Sequence, residues 1–191
     1  VGVDGYKLME IFVMDHKLNI STAYLKPGFA FGGSCLPKDL RALVASMSNP
    51  VSRRLPVLES ILESNDLHIQ ETINLLVNLG RKRVGVIGLS FKPGTDDLRE
   101  SPLVELVEHL IGKGFQVRIY DENLVPERLV GSNKEFIESR IPHLYSMLHN
   151  RLEAVLGFAD VVIVGANVPG IDDALLRLPE DRAIVDLVRL G

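Results

Sequence analysis

One cysteine in 191 residues and no tryptophan leave little room for whole classes of protein. A lone Cys35 excludes an intrachain disulfide framework and fits a reducing compartment such as the cytoplasm. No apolar stretch approaches the roughly 18 residues of a membrane span, and the N-terminus has neither a charged leader nor a signal-type apolar block. Lys and Arg never run beyond three in a row and the formal charge is −4. The basic face that nucleic acid or anionic lipid would demand is therefore missing. His16, His68, His109, His143 and His149 show no paired ligand spacing, and a single Cys cannot build a zinc pattern, so no metal is expected.

What is present is ordinary globular material, 46% apolar and 24% charged, enough to bury the core of one domain or of two unequal units. The chain opens "VGVDGYKLMEIF", without an initiator Met and directly into a helical pattern, as expected for a piece of a longer protein. Asp4 is a candidate N-cap, and Leu8, Met9, Phe12 and Val13 recur at three and four, which predicts an amphipathic helix to about Asp15. "HKLNISTAYLKPGFAFGGS" then loses period and gains Pro and Gly, a long loop of the kind that often carries function. Pro37 can take the first position of a helix "PKDLRALVASM". A third helix is predicted over about Leu55–Leu79, with Ile61, Leu62, Ile69, Ile73, Leu76 and Val77 as its stripe and Gly80 closing it.

From Arg81 the pattern changes. "KRVGVIGLSF", "FQVRIYD", "ADVVIVGA" and "RAIVDLV" read as short buried strands, and "SPLVELVEHLIGKG" and "GIDDALLRL" as helices between them. Strands alternating with helices, each strand nearly all apolar, predict an α/β architecture with a parallel sheet covered on both faces. The expected division is a helical region over residues 1–80 and an open-sheet domain over 81–191.

Open parallel sheets bind ligands at the carboxyl ends of their strands. The loop after the first strand, "GLSFKPGTDDLRESP", offers Lys92 and Arg99 and then Ser101-Pro102, a cap and a proline at a helix start. Unpaired N–H groups and two cations there suit a phosphate. The same charges also read as solvated surface residues, with Asp96, Asp97 and Glu100 as their partners. Asp121, ending the second strand, reads either as a turn residue or as the acid that holds a ribose. The fingerprint G-x-G-x-x-G is absent, since Gly85 and Gly88 are followed only by Gly94.

Cys35 has two readings as well. A free Cys is often a small buried hydrophobe. Here Gly32 and Gly33 let backbone approach a ligand, while the helix start at Pro37 and the cation of Lys38 favour a thiolate. Asp39 falls one helical turn later and could handle a proton or a water beside the sulfur.

The segments "PGFAFGGSCLPKD" and "GLSFKPGTDDLRESPLVELVEHLIGKG" resemble the signature segments of the UDP-glucose/GDP-mannose dehydrogenase family. "DHKLNIS", "NKEFIESRIPH" and "DVVIVG" are most similar to its GDP-mannose-oxidising branch, and the resemblance covers essentially the whole chain. It implies a central all-helical dimerisation region followed by a Rossmann-like nucleotide-sugar-binding domain, with a separate N-terminal NAD-binding domain in complete members. The implied reaction takes the C6 alcohol of a nucleotide sugar to a carboxylate in two hydride transfers to NAD, through thiohemiacetal and thioester adducts of a cysteine. By motif position Cys35 matches the nucleophile and Asp39 the acid assisting the hydrolytic water. Tyr24, Lys26, Phe29, Gly32 and Lys92 match positions that contact the nucleotide sugar, and Lys38 and Arg99 match positions that reach toward NAD. The resemblance further implies a homodimer through the central helices. It also implies that this chain, lacking the NAD fold and the family's catalytic Lys and Asn, does not turn over by itself. Two alternatives remain open at this point: a UDP-glucose or UDP-N-acetylhexosamine 6-dehydrogenase, and a noncatalytic nucleotide-binding or dimerisation module with an inert Cys35.

Overall fold

The computed structural model describes residues 2–22, 25–47, 55–90, 97–124, 135, 137, 139 and 142–190. Three helices come first: α1 (Gly5–Phe12), α2 (Leu36–Met47) and α3 (Pro56–Asn78). The rest alternates, with β1 (Arg83–Ile87), α4 (Pro102–Gly112), β2 (Gln116–Tyr120), α5 (Leu144–Met147), α6 (Leu152–Phe158), β3 (Val161–Val164), α7 (Ile171–Leu176) and β4 (Ala183–Asp186). The fold is α/β, with a four-stranded sheet in the order β2-β1-β3-β4. Every pairing is parallel, and Ile87 lies level with Tyr120 on one side and Val164 on the other, which in turn pairs with Asp186. All four strands therefore deliver their carboxyl ends to one edge, where the following loops gather.

The strand period of two sorts the core into two layers. Val84 and Val86 of β1 and Val161 and Ile163 of β3 face α3 and α4, and pack with Ile69, Ile73, Leu76, Leu106 and Leu110. Ile87, Val162 and Val164 face the other way, against Leu152, Val155 and Leu156 of α6 and Ile171 of α7. Ile69, Ile73 and Leu76 are at most 1% exposed. Their burial contributes about 1.5–3 kcal/mol each and roots the C-terminal half of α3 in the sheet domain. Gly88 follows β1 at φ +80, and a Cβ there would lie 2.3 Å from that of Ala166, so this turn admits only glycine.

Several expectations need correction. The sheet is covered on both faces over β1, β3 and most of β2, where Tyr120 packs on the second core and Arg118 lies over Phe158 of α6, whereas β4 alternates between covered and exposed positions. The sequence shows four apolar runs, but strand order puts two of them at the edges. Helix α2 begins one residue earlier than expected, at Leu36, so Pro37 is its second residue. Helix α1 ends at Phe12, with Val13 as its cap, rather than near Asp15. Asp4 does cap α1, its carboxylate accepting from the Tyr6 N–H at 3.0 Å. Ser101 precedes Pro102 as expected, but its hydroxyl makes no cap bond and donates instead to the buried Leu89 carbonyl at 2.8 Å. None of the α1 residues is buried: Leu8, Ile11 and Phe12 are each more than half exposed.

Candidate active site

Cys35 is the residue immediately before α2, and its carbonyl accepts the first helical bond from the Asp39 N–H at 2.8 Å. The thiol is exposed, so it does not serve as a core-filling residue. Ser34 Oγ lies 3.8 Å from its sulfur. The sulfur thus sits at the N-terminal end of a twelve-residue helix, where unpaired N–H groups favour negative charge. Lys38 and Asp39 are on the first turn, 3.4 Å apart and both largely exposed.

The loop leading to the thiol contains no helix or strand over residues 25–34, yet it is held from two sides. On one side, Asn65 of α3 uses its side-chain amide twice, accepting from the Phe31 N–H at 2.8 Å and donating to the Phe31 carbonyl at 3.0 Å. One turn further along α3, the His68 ring meets Phe29 edge-on at 5.4 Å between centroids. On the other side, the Gly33 N–H donates to the Glu100 carbonyl at 3.1 Å. Glu100 adopts φ +51 in the loop before α4, and its carboxylate pairs with Arg41 of α2 at 2.5 Å. Sequence reading missed Asn65; the only signal was a carboxamide standing four residues from Ile61 and from Ile69 on an otherwise apolar stripe.

Arg99 comes from that same loop. Its guanidinium grips Asp97 at 2.8 and 2.7 Å, and the Asp97 carboxylate also accepts the Arg99 N–H. The Arg99 hydrogen bond holds the Asp97 carboxyl below its ordinary range. Arg99 is in turn held above its own, first by that hydrogen bond and charge and then, more weakly, by the field of Cys35.

A cleft of about 390 Å³ is lined by Gly32 and Leu36, on either side of Cys35 in the chain, though not by Cys35 itself. The thiol loop supplies Phe29, Phe31 and Gly32, the start of α2 supplies Leu36, the start of α4 supplies Pro102 and Leu103, and the segments just beyond β3 and β4 supply Gly165, Leu187 and Val188. This is the strand-end position where an open parallel sheet holds its ligands. Lys26 is not part of it and lies at a separate hollow of about 240 Å³ against α1, with Met9 and Val13. Tyr24 and Lys92 lie outside the described residues. Asp121 turns away from any ligand role: one carboxylate oxygen accepts from the N–H groups of Leu89 and Ser90 and from the Ser90 hydroxyl, and the other from the Asn123 N–H. Its oxygens are spent on holding the loop after β1. Among the described residues no group of three or more His, Cys, Asp or Glu could hold a metal ion.

Two family models match the chain. The central domain of the UDP-glucose/GDP-mannose dehydrogenase family matches residues 1–67, and the UDP binding domain of the same family matches residues 85–190. The chain belongs to the UDP-glucose/GDP-mannose dehydrogenase family. A GDP-mannose 6-dehydrogenase from Pseudomonas aeruginosa is 48% identical over 188 residues, covering 98% of this chain and 43% of the relative. A UDP-glucose 6-dehydrogenase from Rickettsia bellii is 35% identical over 78% of this chain and 34% of its own length. A solved ternary complex of the P. aeruginosa GDP-mannose dehydrogenase superposes with a TM-score of 0.81, again over 98% of this chain and 43% of that one. The chain thus spans less than half the length of the curated relatives it matches. Among the described residues of this family member, no helix is long and apolar enough to cross a membrane.

Proposed function

We propose that this chain carries the thiol nucleophile and the nucleotide-sugar cleft of an NAD-dependent GDP-mannose 6-dehydrogenase that produces GDP-mannuronate. The division of labour follows the two units, residues 1–80 supplying Cys35 and the pairing helices, and residues 81–191 the strand-end cleft. The observation that carries the reading is the exposed Cys35 at the head of α2, whose chain neighbours Gly32 and Leu36 line a cleft shared with the carboxyl ends of β3 and β4.

The chemistry asked of the thiol is covalent catalysis. An aldehyde at C6 has no hydride to lose until something adds to its carbonyl carbon. The Cys35 sulfur adds there, forming an S–C bond while the former carbonyl oxygen takes a proton. Loss of hydride from that carbon, together with the hydroxyl proton, leaves a thioester on Cys35. Asp39 takes a proton from water as the water oxygen attacks the thioester carbon; the C–S bond breaks, sulfur departs as thiolate, and the carboxylic acid so formed loses its remaining proton to solvent and leaves as a carboxylate. Two NAD molecules, bound one after the other, would supply the acceptors, one for each hydride. Lys38 is largely exposed beside Asp39, and Arg99 keeps 43% of its side chain exposed while two of its nitrogens hold Asp97. The pair fits an outer contact to such a cofactor rather than an enclosing pocket. Phe29 and Gly32 lie on the cleft for the nucleotide sugar; Tyr24 and Lys92 are further proposed contacts from the family motif, and Lys26, which lines a separate hollow, is proposed to contact the nucleotide sugar from there.

A second reading, UDP-glucose as substrate, draws on the 35% identical R. bellii relative. Calorimetric titration of the chain with GDP-mannose and with UDP-glucose separates the two. Binding of GDP-mannose tighter by about tenfold, roughly 1.4 kcal/mol, is the expected result, and the reverse order selects the second reading. Absence of binding to both, with Cys35 alkylation unaffected by either, points to an inert module. The proposal also includes a cytoplasmic setting, which keeps a working thiol reduced, and a homodimer through the exposed apolar face of α1.

A further inference from the structure

Resting on the reading of Cys35 as nucleophile, we propose that Asn65 is a positioning residue for the thiol, acting through Phe31. A loop without helix or strand must satisfy its backbone polar groups by other means. At Phe31 the Asn65 carboxamide offers one acceptor and one donor, the two bonds a neighbouring β-strand residue would offer. A single side chain thereby replaces a strand. Four residues later the chain reaches Cys35 and enters α2.

The opposite side of the loop has no slack. Gly32 lies against the Glu100 backbone, and Gly33 is hydrogen-bonded to it. Three successive residues, Phe31, Gly32 and Gly33, are therefore fixed by two separate elements just before the sulfur. Asn65 can act as a fixed post because the next turns of its own helix, at Ile69 and Ile73, are buried in the sheet core. For packing alone a Leu at this position of the stripe would serve as well. Only a carboxamide of this length serves both Phe31 groups: Leu serves neither, and Asp keeps the acceptor alone.

The test compares native chain, Asn65→Leu and Asn65→Asp. Iodoacetamide alkylation of Cys35 at pH 7 is followed on the chain itself, beside thermal melting. Asn65→Leu is expected to alkylate about fivefold or more slowly, because the sulfur loses its place at the helix end, with Asn65→Asp in between. Alkylation of Asn65→Leu within about twofold of native, with intact melting, overturns the proposal. Where Asn65→Leu does not fold, Asn65→Asp decides by the same twofold criterion. In the native reading frame that encodes this chain, turnover of GDP-mannose with NAD gives the second readout. Asn65→Leu should lower kcat about tenfold or more while KM stays within about threefold. A change confined to KM overturns positioning. Failure of the native protein to turn over GDP-mannose overturns the functional reading instead, and the alkylation comparison still decides the role of Asn65.

Discussion

A Cβ placed on Gly32 would lie 2.1 Å from the carbonyl oxygen of Glu100 and 2.6 Å from the ring of Pro102. The obstacle is backbone, and that backbone also accepts the Gly33 N–H, so it cannot swing aside as a side-chain tip would. Gly32→Ala is therefore expected to lose about 1–3 kcal/mol by denaturant unfolding, the usual range for overpacking. It should also weaken GDP-mannose binding by pushing the thiol loop off the cleft. Unchanged stability and affinity would show that the two loops separate freely.

Asp121 is buried, and its carboxylate serves the Leu89 and Ser90 N–H groups. Asp121→Ala strands both donors away from water. The expected loss is about 2–5 kcal/mol, read from chemical denaturation, and a loss under about 0.5 kcal/mol would contradict the structural role assigned to it.

Acid should unfold the protein through a few identifiable carboxylates. Asp97 is held below the ordinary value of 3.8 by Arg99, as Asp4 is by Arg189 and Asp160 by Arg83. A depressed folded-state value means the contribution is complete above the ordinary value and disappears as pH falls through the lower one. Melting temperature should accordingly drop below about pH 4, and Asp97→Asn should trail the native chain at pH 6 but approach it at about pH 2–3. Glu105 runs the other way. Burial first, and then the like charge of Asp66, raise its carboxyl above the ordinary range. Its ionisation therefore opposes folding, so Glu105→Gln should melt above native at pH 7 and approach it at acidic pH, where Glu105 is itself protonated.

Ile11 is 69% exposed and Phe12 55%, an apolar face left uncovered among the described residues. Light scattering should find twice the 21.1 kDa chain mass, and the double variant Ile11→Glu, Phe12→Glu should return the single-chain value. Because both side chains are exposed, the fold itself should change by no more than about 0.5 kcal/mol. A native chain already monomeric at high concentration would remove the dimer from the proposal.

The parts of this fold that could be read from sequence are those encoded locally. "VGVI" and "VVIV" announce inner strands because all their residues are apolar, and "GGSCLPKD" announces a thiol at a helix start within eight residues. The order of the strands, which makes β4 an edge with Ile184 45% exposed, is written nowhere locally. The same holds for the groups that hold the thiol loop: Asn65 reaches Phe31 across 34 positions, and Arg41 reaches Glu100 across 59. Ser101 followed by Pro looked like a helix cap by local rule. A buried carbonyl twelve residues away claimed its hydroxyl instead.

Because α3 is one uninterrupted helix of 23 residues, its two halves cannot answer to different masters. The half embedded among the strands sets the pitch and tilt of the half that touches Phe29 and Phe31. A void opened at Ile73, deep in the hydrocarbon and far from any reacting atom, would be transmitted along this rigid rod as a small rotation at the sulfur. The rate at which the lone thiol meets a small electrophile is thus a gauge of how well the interior is filled.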